Sequence, residues 1–226
     1  MGFMTRDTLP AASPRPLRRD AERNRLRILS AARDVFRERG FDATLDDVAH
    51  AAGLGVGTVY RRFPNKEHLI DAMFARRLEE IEENARAALA DPDPWEGFRK
   101  FVWEAVGMMA ADRGMRDTLL SNAFGQVEVA RVKDRMIPVV TELVQRAKDS
   151  GALRADFVET DCPVLFKMVV SVVEYSHDVA PDLWQRYLTM LLDGLRADGG
   201  ERQELPVPPL DHEMLDCAMK AWHSRR

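Results

Sequence analysis

The chain has 226 residues, 33 of them Lys or Arg and 37 Asp or Glu, for a net charge of −4, with 46% hydrophobic side chains and two cysteines. That length supports one generous domain or two small ones with a full core, which excludes a disulfide-stapled miniprotein; the charge excludes a wholly basic nucleic-acid coat. The charge is unevenly spread, however. Residues 1–67 hold 13 basic and 9 acidic side chains, a balance of +4, and the remainder balances at −8, a pattern suited to a protein that meets phosphate at one end.

Residues 1–20 contain Pro10, Pro14 and Pro16 with Arg15, Arg18 and Arg19, and read as a flexible basic arm. A secretory leader would need an apolar stretch there. The most apolar run, residues 169–173, is too short to cross a bilayer, so a soluble, cytoplasmic chain is expected, with no membrane partner. Cys162 and Cys217 match no metal or redox spacing and read as ordinary thiols in a reducing compartment.

No stretch alternates with period two, so the expected fold is all-α. The first helix is expected over about 21–39, with Leu26, Leu29, Ala32, Val35 and Phe36 on one stripe, and Gly40 ends it in a left-handed position. Two short helices follow near 45–52 and 56–62, separated by the turn Gly53-Leu54-Gly55. Asn65 can cap a long helix running to about 90. After Asp91-Pro92-Asp93-Pro94, helices are expected at about 94–112, 115–123, 127–149, 161–177 and 182–197, then a Gly- and Pro-rich linker over 198–210 and a short helix over 211–224.

The chemistry concentrates in residues 44–69. Thr44 can cap the first short helix, with Asp47 three residues on completing a weaker capping box. Leu45, Val48, Ala49 and Ala52 face inward, and Gly53 makes the tight turn of a helix pair crossing at a steep angle. The second short helix then presents Gly57, Thr58, Tyr60 and Arg61 outward while Val56, Val59 and Phe63 hold it to the core. A helix start without a side chain at Gly57 can approach a DNA backbone closely. Tyr60 can donate to phosphate or pack on a sugar or thymine methyl, Arg61 can reach phosphate or guanine, and Lys66 adds a cation. Thr44 is as well explained by capping alone as by a phosphate contact. His50 and His68 read as solvated helix residues.

These residues resemble the helix-turn-helix of TetR-type (TetR/AcrR) transcriptional regulators: Thr44, Ala52-Gly53, Gly57-Thr58-Val59-Tyr60, Phe63 and Lys66-Glu67-His68-Leu69. One departure is Gly55, where that family often carries a capping Ser. The resemblance implies a three-helix DNA-binding domain over 21–68, an effector-binding and dimerisation domain over 69–198, and a linker and short helix over 199–226. It also implies a homodimer that places two recognition helices in successive major grooves of a palindromic operator, about 34–36 Å apart. Its expected function is that of a ligand-responsive regulator, a repressor released by a small, largely apolar molecule.

The body residues are open to two readings. Val164, Leu165, Val172, Leu188, Leu191, Leu192 and Leu195 are either dimer interface, as the resemblance implies, or intramolecular core. Phe98, Trp103, Met109, Asn122, Phe124, Met168 and Glu174 either line a ligand pocket or pack as core. An enzyme reading rests only on scattered Glu104, Asp112, Glu174 and His177, with no nucleophile order, metal spacing or phosphate loop; no catalytic role and no cofactor is expected. A third reading is an interaction protein that acts by dimerising with partners and whose helix-turn-helix no longer reads sequence, which salt-dependent binding indifferent to DNA sequence would reveal.

Overall fold

The computed structural model describes residues 15–111, 127–197 and 203–223. The expected helix at 115–123, and with it Asn122 and Phe124, lies outside the described residues. The chain divides into two compact units, Met1–Pro64 and Asn65–Arg226. Among the described residues the regular structure is helical, with a single isolated bridge pairing Leu153 with Arg196.

In the first unit, α1 spans Arg15–Arg39, α2 Leu45–Ala52 and α3 Val56–Arg62. Ile28, Leu29, Ala32, Val35 and Phe36 bury one side of α1 against the apolar face of α2, where Leu45, Val48, Ala49 and Ala52 are buried. Gly40 takes a left-handed backbone, φ 62°, and stops α1 in a 3-10 turn, Gly40–Asp42. The helix starts at Arg15, not near 21, so residues 15–20 are its first turns and not part of a flexible arm.

In the second unit, α4 runs Lys66–Leu89, α5 Pro94–Ala111, α6 Val127–Asp149, α7 Asp161–Ser176, α8 Leu183–Leu195 and α9 His212–His223. The α4–α5 corner is built from polar groups that satisfy helix ends. Arg146 donates to the carbonyls of Leu89 and of Asp91, the latter at 2.7 Å, and Lys100 bonds Asp91 at 2.6 Å. Asp93 accepts from the N–H groups of Trp95 and Glu96 at 2.9 and 3.2 Å, with Pro94 opening α5 where no N–H is needed. Gly97 is dictated by space: a Cβ there would stand 2.5 Å from the Ala88 carbonyl oxygen.

The core of this unit is aromatic at its centre. Phe98 stacks edge-on to Phe157 with centroids 5.6 Å apart, and Phe101 meets Phe166 at 6.1 Å. Buried Glu82 is held by Arg86 at 2.8 Å and Arg135 at 3.3 Å, the pairing a buried carboxylate requires. Burial pushes the Cys162 thiol well above its ordinary range, leaving it inert, whereas Cys217 on α9 is exposed. No described helix is long and apolar enough to cross a membrane.

Candidate nucleic-acid interface

The α2–α3 pair is fixed by local bonds at both ends of α2. At its start the Thr44 hydroxyl accepts from the Asp47 N–H at 3.2 Å, and the Asp47 carboxylate accepts from the Thr44 N–H at 2.9 Å. Both halves of the capping box are therefore present, which is more than the shorter Asp suggested. The Thr44 hydroxyl also donates to the same carboxylate, at 2.7 Å, so in the free protein its proton is already engaged. Arg39 at the end of α1 adds an ion pair to Asp47 at 2.7 Å.

At its end α2 is closed by Gly53, left-handed at φ 61°, whose N–H returns to the Ala49 and His50 carbonyls. Arg27 reaches across from α1 and donates to the Ala52 carbonyl at 2.8 Å. Arg27 and Arg39 thus clamp the two ends of α2. Sequence reasoning missed both, because α1 carries many arginines and no spacing among them singles out these two.

The hydrogen bonds of Thr44 lead to a stability test. Thr44→Ala removes the cap and should lower unfolding stability by about 1 kcal/mol in urea titrations at neutral pH. Backbone and side-chain hydrogen bonds from Thr44, then the charge of Arg39, hold the Asp47 carboxyl below its ordinary value. A depressed carboxylate stabilises the fold above its unfolded pKa and ceases to as pH falls through the folded one. The difference between wild type and Thr44→Ala should therefore shrink on acidification below the usual carboxylate range; a gap that widens there would contradict the assignment.

On α3, Val59 and the following Phe63 are buried and anchor the helix. Gly57, Tyr60 and Arg61 are exposed, and Thr58 is half-buried. Val56 is 42% exposed, correcting the expectation that it holds the helix to the core. On a helix of 100° per residue, positions 56 and 60 share a side, and that side belongs to solvent. A Cβ at Gly57 would meet nothing within 4 Å, so this end of α3 is open to an approaching surface. Asp46 on α2 lies beside Tyr60; its charge and hydrogen bond raise the phenol above its ordinary value, keeping it neutral and oriented. Lys66 opens α4 in the second unit, half-buried, one residue after the Asn65 cap.

Comparison with known proteins decides what this arrangement is. Residues 28–73 match the profile of bacterial regulatory proteins of the tetR family, and residues 93–197 match the SbtR-like C-terminal domain of transcriptional regulators. The repressor KstR of Mycolicibacterium smegmatis is 30% identical over 141 residues, covering 58% of this chain and 67% of KstR. A TetR regulator from Mycobacterium vanbaalenii is 32% identical, with 80% of this chain and 99% of that one superposed at a TM-score of 0.62. Another, from Streptomyces coelicolor, is 30% identical over 77% and 99% of the two chains, at 0.60.

The chain belongs to the TetR family of transcriptional regulators.

As a TetR-family protein it is a DNA-binding regulator, and its helix-turn-helix is the pair α2–α3 within the matched residues. The body of this TetR-family chain separates the candidate residues by which way they face. On α7 the buried side is Cys162, Leu165, Phe166, Val169, Val170, Val173 and Ser176. Leu165, together with Leu188 and Leu192 of α8, is therefore enclosed within its own subunit, which corrects its expected place in an interface. Val172, Leu191 and Leu195 are partly buried against that same core.

Val164 is exposed, and so is Met168, at 49%. Met168 is therefore not part of the core of its own subunit. With Tyr175 it shares the side of α7 that carries Val164, and Tyr187 and Met190 of α8 are exposed as well. Phe98 is fully buried in the core, Trp103 is half-buried against Trp184 at 5.6 Å, Met109 is partly buried and Glu174 is half-buried. A cavity of about 110 Å³ opens between α5 and α8, lined in part by Trp95, Arg99, Trp103, Asp193 and Arg196. It is smaller than the roughly 300 Å³ at which effector sites begin. Among the described residues no cluster of His, Cys, Asp or Glu could hold a metal ion.

Proposed function

We propose that this TetR-family chain acts as a homodimer that reads a palindromic operator through α3 and leaves it when the body binds a small, largely apolar effector. The observation that carries the reading is the outer face of α3. Gly57, Tyr60 and Arg61 stand exposed on a helix whose inner side is locked by Val59 and Phe63, next to a doubly clamped α2. Thr58 and Arg61 would contact base edges or phosphate, Tyr60 a phosphate or thymine methyl, and Lys66 the backbone. Thr44 is assigned first to capping, because its hydroxyl is spent on Asp47.

The repressing sign is supported by KstR, a repressor at 30% identity. Dimerisation is assigned to Val164, Met168 and Tyr175 of α7 with Tyr187 and Met190 of α8, because these large apolar side chains are exposed on two helices that pack together, and exposed apolar surface marks a docking face. The effector pocket is assigned to the body around Trp103, Met109 and Glu174, with a coupling to DNA affinity typically of about 1–3 kcal/mol. No catalytic role is assigned.

Selection of duplexes from a random pool by the full chain tests this directly. Enrichment of an inverted repeat, with half-site centres about 10–10.5 base pairs apart or a multiple of that, is the expected result. A single asymmetric motif, or no enrichment beyond salt-sensitive general binding, would overturn it.

A further inference from the structure

We propose that Asp71 is a proton-operated latch between α4 and the start of α6: protonation of its carboxyl closes the seam between the two helices, and ionisation loosens it. The latch lies wholly within the second unit, so it stands or falls independently of how α3 reads DNA.

The latch is a helix cap supplied from outside. α6 starts at Val127, and Glu128 and Val129 are the second and third residues of its first turn. The N–H groups there have no partner within a helix, and a residue just before the helix ordinarily accepts from them. Here the acceptor comes from another helix: the Asp71 carboxylate of α4 takes hydrogen bonds from both N–H groups. α4 and α6 pack together, so one side chain closes that end of their seam.

Its charge is held at a cost. Asp71 is 8% exposed, and its Oδ1 finds no hydrogen-bond partner among the described residues. A buried carboxylate is well placed only when it is paired, as Glu82 further along α4 is by Arg86 and Arg135. Asp71 faces instead Glu128 of α6, whose charge opposes its ionisation, and His68 of α4, whose charge favours it. Burial, joined by Glu128, outweighs the two N–H bonds and His68, and holds the Asp71 carboxyl above its ordinary value.

The direction of the switch follows from linkage. Closed, the carboxyl is buried and keeps its proton more tightly; open, it returns to water and its ordinary value. Protons favour the state that binds them better, so acid closes the latch and rising pH loosens it.

Only the near end of α6 is placed to respond. Its far end is fixed by Arg146 to the Leu89 and Asp91 carbonyls, and Arg135 ties its middle to Glu82 at 3.3 Å. Pro138, inside α6, removes one bond of the helix ladder between those two fixings. Loosening is thereby confined to the turns from Val127 to Asp134, against the part of α4 that follows the Asn65 cap.

The test follows wild type, Asp71→Asn and Glu128→Gln as full chains from neutral pH down to about pH 4, the ordinary carboxylate range. The carboxyl carbon of Asp71, labelled with carbon-13, should titrate above the ordinary aspartate value in wild type and lower in Glu128→Gln. Exchange protection of the Glu128 and Val129 amides, corrected for the intrinsic effect of pH, should rise severalfold on acidification of wild type. Asparagine cannot ionise, so Asp71→Asn should show no such rise. Global stability gives the same sign. A raised carboxyl stabilises the fold fully below its unfolded value and loses that contribution as pH rises through the folded one. Wild type should therefore gain on Asp71→Asn as pH falls through that interval, the reverse of the trend at Asp47. Protection that falls on acidification, as an ordinary charged cap would give, overturns the proposal. An identical pH profile in Asp71→Asn also overturns it. Should Asp71→Asn fail to fold, the wild-type carbon titration decides, and a midpoint at or below the ordinary value is then the contrary result.

Discussion

The double substitution Tyr60→Ala with Arg61→Ala should reduce affinity for the selected duplex on the order of 10³-fold, down to the range of general, salt-sensitive binding. Both side chains are exposed and neither supports the fold, which rests on Val59 and Phe63 behind them. The variant should therefore unfold at the same denaturant concentration as wild type and remain a dimer. That combination separates a reading role from a packing role. If Tyr60 and Arg61 were structural, stability and binding would fall together. Gel shifts at fixed salt beside urea titrations distinguish the two. The Asp46 carboxylate beside the phenol adds a specific expectation: Asp46→Asn relieves repulsion from phosphate but loosens Tyr60, so its effect should be small beside that of the double variant.

The second large effect is expected at the opposite end of the chain. Met168→Glu with Met190→Glu places two charges on the exposed apolar surface of α7 and α8 without touching Leu165, Leu188 or Leu192 in the core. The subunit should stay folded while sedimentation reports half the wild-type mass. Affinity for the two-half-site duplex should then drop by about 10²–10⁴, the advantage of linking two reading heads, with no residue at the DNA altered. A variant that still sediments as a dimer would move the interface elsewhere on the body. By contrast, Leu188→Ala should cost about 2–5 kcal/mol of subunit stability, because that side chain belongs to its own core.

These two regions also show what the sequence made legible. The borders of α2 and α3 are written in residues with mandatory local roles. Thr44 and Asp47 cap, Gly53 must be left-handed, and Gly55 starts the next helix. Such signals act over a few positions and need no tertiary context, so both helices could be placed to the residue. The helix-turn-helix was legible for the same reason.

Facing is a different matter. Helical spacing tells which side chains share a side, but Val164, Met168 and Tyr175, four and seven apart, share a side as well as Leu165, Val169 and Val173, four apart, do. Both stripes of α7 are apolar, and only packing decides which is core. Val56 was misplaced because on a seven-residue helix an apolar side chain needs no burial partner. The start of α1 was missed because Pro14 and Pro16 read as a break, although proline is well tolerated in the first turn of a helix. The clamps Arg27 and Arg39 bond across helices to groups 25 and 8 positions away, a relation no local pattern encodes.

The central claim is that two copies of α3 occupy successive major grooves, and methylation interference on the selected duplex tests it most directly. Guanine N7 faces the major groove and adenine N3 the minor groove. Interference is expected at guanine N7 in two clusters centred about 10–10.5 base pairs apart, both abolished by Tyr60→Ala with Arg61→Ala. Interference confined to adenine N3, or a single cluster of N7 positions for a dimeric protein, would contradict it.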